Sequence, residues 1–376
     1  MTVSQSSVTV GIIANPSSGR DIRRLVSHAS VFPTAEKANM VQRVLAALGA
    51  LGVPRAVMMP DLTGICANVS RAQGRLHASP GLAWPELEVL AMPNEESVRD
   101  TLEAVARMVE RAVSVIVVLG GDGTHRAVAA KCGTIPLATL STGTNNVFPD
   151  LREATVTGLA AALVALGRVP PEVALRRNKL IRVISSGGRP EEIALVDVCA
   201  SNLAHIGARA LWQPETLTEL VVAFAEPDAI GLSSIAGLLR PVSRDADHGL
   251  YLRLAPPRSA GVLATLAAPI GPGLVAEVGV AAIEELLPGR TIPLRTGIGT
   301  IAFDGERELE ISAGEGLVAT LAAEGPYTID VPRTLSWAAA NGALNTTGPT
   351  LPSGSALRRR MLTDAAVDPS TKEETR

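Results

Sequence analysis

Aromatic side chains are almost missing from this chain: Phe, Tyr and Trp together supply 2% of 376 residues, while apolar residues reach 47%. The core must therefore be assembled from Ala, Val, Leu and Ile. Cysteine is scarce too. Cys66, Cys132 and Cys199 are odd in number and widely spaced, without a metal-ligand rhythm, as expected of buried thiols in a reducing cytosol. An excess of positive charge is also lacking: the formal net charge is -3, which argues against general affinity for nucleic acid or an anionic membrane. The cluster Arg20, Arg23 and Arg24 is a local matter. No apolar run approaches the ~20 residues that span a bilayer. The opening MTVSQSSVTV has no basic segment followed by an apolar one, so no signal peptide is expected. A soluble cytoplasmic protein with small-molecule partners is expected, assembled as a homo-oligomer.

What is present is organised around Val115 to Thr124, VIVVLGGDGT. Its apolar, β-branched run suits a strand covered on both faces. Gly120 and Gly121 let a ligand approach the main chain. Asp122 is the single charge, Gly123 follows it, and Thr124 offers a hydroxyl before the helix-like stretch His125 to Lys131. Ligands of open α/β sheets bind at the carboxyl ends of strands, where helix N-termini favour anions. The segment suits a phosphate-handling turn containing one acid. It suits equally a helix-capping aspartate with no ligand.

The first 120 residues alternate strand and helix, which calls for a parallel sheet covered on both faces. Val8 to Ala14 is a strand that runs into Asn15-Pro16-Ser17-Ser18-Gly19-Arg20, an anion cradle or an ordinary loop. Thr34 to Leu51 is a helix with Ala38, Val41, Val44, Leu45 and Leu48 on its buried stripe. Arg55 to Met59 and Leu87 to Met92 are strands. Val98, Leu102, Val105 and Val109 form the stripe of a further helix, with Asn94 as its cap. After Ile135 to Leu140 comes a second hydroxyl-rich turn, Ser141-Thr142-Gly143-Thr144-Asn145-Asn146. Its asparagines can meet ribose hydroxyls or a base edge, or merely stabilise the turn.

Beyond Val169-Pro170-Pro171 the texture changes to short strand candidates between Gly/Pro turns: Lys179 to Ser185, Glu192 to Cys199, Gly249 to Ala255, Gly261 to Ala268 and Leu274 to Val280. Helices are expected at Ala204 to Trp212 and Glu215 to Ala223. The Ser233-Ser234 region reads as an unassigned loop. Gly297 to Phe303 ends in Asp304-Gly305-Glu306, a magnesium site or a hairpin turn. The expected division is an α/β nucleotide-binding domain over 1–150, a β-rich domain over 151–330 and a return segment with a loosely ordered tail over 331–376.

Taken together, Asn15-Pro16-Ser17-Ser18-Gly19, Gly120-Gly121-Asp122-Gly123-Thr124, Thr142-Gly143-Thr144-Asn145-Asn146 and Asp304-Gly305-Glu306 resemble, in order, the motif series of the NAD kinase and diacylglycerol/sphingosine kinase superfamily. Ser18 to Phe32 looks most like its NAD-kinase-like X proteins, associated with acetoin catabolism. The resemblance implies an N-terminal Rossmann-like domain, a C-terminal β-sandwich-like domain and a nucleotide in the cleft between them. It implies ATP and Mg²⁺ as cofactors, and Asp122 as the catalytic or metal-organising acid. Phosphate contacts would fall at Gly121, Gly123 and Thr124, nucleotide hydroxyl contacts at Asn145, and metal contacts at Asp304 and Glu306. The cradle residues Asn15, Ser17, Ser18, Gly19 and Arg20 join the nucleotide-binding set with Gly120, Thr142, Gly143, Thr144 and Asn146. The expected reaction is ATP-dependent phosphorylation of a hydroxyl, foremost the 2′-hydroxyl of NAD's adenosine ribose. Two departures bear on the acceptor: Asn146 stands where an acid commonly follows Asn, and no T-P-T-G-S-T-A-Y motif occurs in the second domain. They keep open another hydroxyl acceptor, lipid or small metabolite, and a nucleotide-binding accessory protein without turnover.

Overall fold

The computed structural model describes residues 8–18, 32–76, 84–143, 146–207, 211, 213–295 and 297–345. Strand β1 (Thr9–Ala14) is buried at every position and leads to helix α1 (Thr34–Ala50). Then follow β2 (Arg55–Met58), α2 (Ile65–Leu76), β3 (Glu86–Val89), α3 (Val98–Glu110), β4 (Val115–Gly120), α4 (Asp122–Ala129), β5 (Leu137–Ser141) and α5 (Ala154–Ala165). The five strands are parallel, in the order β3-β2-β1-β4-β5. The order reverses between β1 and β4, and that switch point opens a crevice at their carboxyl ends. Helices α1, α2 and α5 share one apolar core below the sheet, and α3 and α4 share another above it.

A core poor in aromatics closes by bringing small residues into direct contact. A side chain at Gly158 of α5 would meet Ala47 Cβ of α1 at 2.8 Å, and one at Gly11 of β1 would meet Met108 Sδ of α3 at 2.6 Å. The expected stripe of α1 is buried as drawn. The stripe of α3 is rotated: Thr101, Ala104, Val105 and Met108 face inward, while Val98 and Val109 are exposed. Met108 of that face packs directly over Gly11. The cap of α3 is Ser97 in a capping box with Asp100, not Asn94.

The first core does not stop at residue 150. It takes in α5, the short α6 (Pro171–Ala174) and β6 (Leu175–Arg177). The chain then crosses into two antiparallel sheets. Their strands are β7 (Leu180–Ser185), β8 (Glu192–Ala194), β9 (Asp197–Ser201), β10 (Leu217–Val222), β11 (Gly249–Ala255), β12 (Ala264–Gly271), β13 (Leu274–Leu286), β14 (Thr291–Leu294), β15 (Gly299–Phe303), β16 (Glu306–Ile311) and β17 (Leu317–Ala322). One sheet runs β12-β13-β11-β10-β9-β15-β16 and the other β14-β17-β7-β8. They share a core of Ile181, Val198, Val221, Ile301, Phe303 and Leu321. The other face of the larger sheet is covered by helix α7 (Ser233–Leu239). The chain returns through β18 (Tyr327–Ile329), which pairs parallel with β5 and antiparallel with β6, and ends in α8 (Val331–Ala340).

Four local expectations are corrected here. Glu215 to Ala223 is not a helix: it holds the central strand β10, buried on both faces, and a short apolar run of that kind carries no periodicity to separate the two states. Ser233 and Ser234 begin the buried helix α7. Residues 204–207 are not helical, and 208–210 and 212 lie outside the described residues. Glu192 to Cys199 is two strands in two sheets, β8 and β9. The two crossings lie side by side, where Asn178 N–H donates to Pro326 O at 3.0 Å and Gly325 N–H to Asn178 O at 2.9 Å. A side chain at Gly325 would sit 2.3 Å from Asn178 O, so the crossing needs glycine there.

Candidate functional site

The turn after β1 is held from three directions. Asn15 Oδ1 accepts the Ser17 N–H at 2.8 Å, and Asn15 Nδ2 donates to Thr124 Oγ1 at 2.8 Å, tying this turn to the one after β4. The Ser18 and Thr142 hydroxyls lie 2.8 Å apart, which brings in the turn after β5. From beneath, Lys37 of α1 donates to the carbonyls of Asn15, Pro16 and Ser18. Three separate sequence motifs thus meet at the carboxyl ends of β1, β4 and β5.

Helix α4 starts at the GGDGT turn with Gly121 as its N-cap. Its first-turn N–H groups have no intrahelical partner and favour an anion. Two of the glycines sit in crowded positions. A side chain at Gly120 would lie 2.4 Å from Thr124 Cβ, and one at Gly143 would lie 2.5 Å from Asn146 Oδ1. Asn146 Nδ2 donates to Ser141 Oγ at 2.7 Å, so this asparagine braces its own turn. The Asp122 carboxylate accepts the N–H groups of Val147, at 3.1 and 3.0 Å, and Phe148, at 2.8 Å. Phe148, buried, projects into the core of the β-rich unit. There Arg244 donates to the carbonyls of Val147 and Phe148 and stacks on the rings of Phe148 and Phe224. His125, one turn into α4, is fully buried with Nδ1 2.9 Å from Gly121 O. Burial pushes its pKa down to about 4, so the imidazole is neutral at physiological pH.

Asp304 and Gly305 form a two-residue hairpin turn between β15 and β16, with φ of 51° and 79°. Positive φ at both positions is the geometry that Asp-Gly favours. The Asp304 carboxylate is buried and accepts the N–H groups of Leu195, Val196 and Asp197, at 3.0, 2.8 and 3.3 Å to Oδ1. Burial raises its pKa to about 6, against the opposing pull of Arg126 and these amides. The carboxylate thereby ties the hairpin to the segment that leads into β9. Glu306 does face the first unit: its Oε2 lies 3.8 Å from where a side chain at Gly123 would begin. Between them Arg126 of α4 reaches across, bonded to Glu308, 3.6 Å from Asp304 Oδ2 and 3.9 Å from Glu192 Oε2, with its guanidinium over the Phe303 ring. Burial opposes the Arg126 charge, but Glu308 and Asp304 outweigh it and raise its pKa.

The structure therefore gathers Asn15, Ser17, Ser18, Gly120, Gly121, Asp122, Gly123, Thr124, Thr142, Gly143, Asn146 and Glu306 along one seam between the two units. Gly19, Arg20, Thr144 and Asn145 lie outside the described residues. Among the described residues, no three His, Cys, Asp or Glu side chains converge as a metal cage, and no helix is long and apolar enough to cross a membrane. An apolar recess of about 300 Å³ beside Pro170, Leu175 and Trp337 lies among the elements that follow α5, away from these turns. Lys37, Arg126, Arg244 and Phe148 went unread in the sequence. Only Arg126 had a signal there, standing four residues after Asp122 and so on the same helix face. Three of the four phenylalanines, Phe148, Phe224 and Phe303, stack beneath the two seam arginines.

A switch-point crevice in a parallel sheet, closed by a β-rich unit that carries the late D-G-E turn, defines a two-unit protein of the NAD kinase-like class. Residues 10–169 match the ATP-NAD kinase N-terminal domain, and residues 179–324 match the acetoin catabolism protein X C-terminal domain. The second match spans the stretch between the two crossings at Asn178 and Gly325. Over 330 residues, 87% of this chain and 91% of the relative, it is 46% identical to acetoin catabolism protein X of Cupriavidus necator. The chain belongs to the family of acetoin catabolism protein X. Its NAD kinase-type first domain supports a kinase-like phosphotransferase.

Proposed function

We propose that this protein transfers a phosphoryl group from ATP to a hydroxyl, with the 2′-hydroxyl of NAD's adenosine ribose as the leading acceptor. What carries the proposal is the convergence of the Asn15–Ser18 turn, the α4 N-terminus and Asp122 on one crevice. Phosphoryl transfer asks mainly for positioning and charge neutralisation. The first-turn amides of α4 and the Thr124 hydroxyl would cradle phosphate. Asp122, the acid of this turn, would orient or deprotonate the substrate hydroxyl, or help hold Mg²⁺. Magnesium usually keeps several waters and binds through substrate phosphates with one or two carboxylates, and Glu306, with Oε2 3.8 Å from where a side chain at Gly123 would begin, would contribute one. Incubation with ATP, Mg²⁺ and NAD is expected to yield NADP. Yield no greater than that of an Asp122→Ala control removes NAD as the acceptor.

A second acceptor class has its own support. Asn146 braces the turn where a carboxylate commonly follows Asn, and the Cupriavidus relative is named for acetoin catabolism. A small hydroxylated metabolite, or a lipid such as diacylglycerol, would then take the phosphate. An acceptor screen read by Asp122-dependent ATP consumption separates these from NAD. Tight nucleotide binding with no consumption for any acceptor would instead mark a catalytically silent accessory protein.

A further inference from the structure

Lys179 lies in the first crossing between the units, one residue past Asn178, and is buried. Burying an ammonium costs desolvation, which pulls its pKa down to about 8 against the opposing charges of Asp247 and Asp245. Three carbonyls of one short segment, between α7 and β11, offset that cost. Lys179 Nζ donates to Ser243 O at 3.3 Å, to His248 O at 2.8 Å and to Ala246 O, one acceptor for each ammonium proton. The same crossing holds this segment a second time: Arg176 Nε lies 3.0 Å from Asp245 Oδ1, while its Nη2 donates to Asp330 Oδ2 at 2.8 Å. Ser243 O and the Arg244 N–H belong to one planar peptide unit. Fixing that carbonyl therefore fixes the root of the Arg244 side chain. Arg244 in turn donates to the carbonyls of Val147 and Phe148, whose N–H groups meet the Asp122 carboxylate.

We infer, resting on the phosphoryl transfer proposed above, that Lys179 is a positioning residue for that reaction. By gathering residues 243–248 around its ammonium, it aims Arg244 at the loop after β5. Through the Val147 and Phe148 amides it then sets where the Asp122 carboxylate points. The crossing between the units and the acid of the GGDGT turn are thereby parts of one bonded network. Lys179 acts without meeting substrate. Its effect falls on the step in which the acid must be aligned, where a misplacement of about 1 Å can cost up to about 100-fold. The phosphate cradle at Asn15–Ser18 is outside that network.

The test combines steady-state kinetics and amide hydrogen exchange on the full chain, with ATP and the acceptor that the screen above selects. Lys179→Met is expected to lower kcat, counted per ATP-binding site, about tenfold or more while the KM for ATP stays within about twofold. Counting per binding site removes any unfolded fraction from the comparison. Arg244→Met should show a similar loss, and adding Lys179→Met to it should cost little more. Exchange at the Val147 and Phe148 amides should quicken about tenfold in Lys179→Met while exchange in β2 stays unchanged. An undiminished kcat per site, unchanged exchange at those two amides, or additive losses from the two variants each overturns the inference and leaves the proposed function standing. If the unmodified chain transfers phosphate from ATP to no acceptor, the proposed function falls and this inference with it. One measurement needs no variant. The Ala246 amide donates to Ser243 O at 3.2 Å, and in low urea it must open together with the Val147 and Phe148 amides, with one free energy and one urea dependence. Separate openings refute the inference even if the variants fail to fold.

Discussion

Asp122 and Arg244 hold the same two residues, Val147 and Phe148, one by their N–H groups and the other by their carbonyls. The carboxylate of Asp122, on the first domain, accepts the N–H groups of Val147 and Phe148. The guanidinium of Arg244, on the β-rich domain, donates to the carbonyls of those two residues. The loop after β5 is thereby clamped between the domains, with Phe148 driven into the second core. Asp122 has two tasks: the acid proposed for chemistry is also half of an interdomain clamp.

That dual role makes an Asp122 variant ambiguous on activity alone. Asp122→Asn keeps one acceptor oxygen, and Asp122→Ala leaves the Val147 and Phe148 amides without that acceptor. Urea unfolding is expected to show a loss of about 1–3 kcal/mol for Asp122→Ala and less for Asp122→Asn. Because Asp122 and Arg244 share a loop, the double variant Asp122→Ala/Arg244→Met should lose less than the sum of the singles. Strict additivity would show that the clamp does not couple.

Arg126 is the second link across the seam. Removing one member of a buried ion pair strands its partners, at a cost of about 3–5 kcal/mol, so Arg126→Met should lower the unfolding free energy read in urea by about that amount. Glu192 is half-exposed and 3.9 Å away, and Glu192→Gln should cost less than about 1 kcal/mol. Equal effects of the two variants would assign the stabilisation elsewhere.

Two glycines should respond to alanine with opposite signs. A Cβ at Gly120 would overlap Thr124 Cβ at 2.4 Å, whereas one at Gly74, in α2, meets nothing within 4 Å. Gly120→Ala is expected to cost about 1–3 kcal/mol by overpacking. Gly74→Ala is expected to stabilise by about 0.5–1 kcal/mol through helix propensity. Thermal midpoints of the two variants decide the matter.

His125 predicts an acid-sensitive interval. Its pKa falls from 6.5 to about 4 in the folded chain, so between those values the unfolded state binds more protons. Stability from this group is complete above pH 6.5 and is lost as pH falls toward 4, by about 3 kcal/mol in all. Asp304, with its pKa raised to about 6, acts with the opposite sign and gains stability as pH falls through that value. The comparison must therefore be between the unmodified chain and His125→Gln. The variant's stability should decline less from pH 6.5 to pH 4, as read by urea unfolding at each pH; parallel declines would exclude His125 as the cause.

Much of the α/β domain was legible because its signals are local. The stripe of α1 is a spacing, and β1 and β4, apolar but for Thr9, are runs that suit a doubly covered strand. Legibility failed where a neighbour from far along the chain decided the outcome. The buried face of α3 turns toward Gly11, and β10 becomes a strand because β9 and β11 pair with it on either side. Asp304-Gly305-Glu306 was open to two meanings, and the amides of Leu195 to Asp197 separated its acids, one into the hairpin and one toward Gly123.

The chain's own order of residues determined the parallel sheet, the three turns at its edge and the acid within one of them. Each depends on strand burial, glycine freedom or helix capping within a short window. Only the tertiary structure decided what the charges do. Arg126 meets Glu308, 182 residues later, Arg244 returns to a loop 96 residues earlier, and Lys37 turns back beneath β1. A charged side chain in a window of sequence is solvated by default. It becomes a clamp or a counter-ion when folding removes the water and brings it a partner that no local pattern foretells.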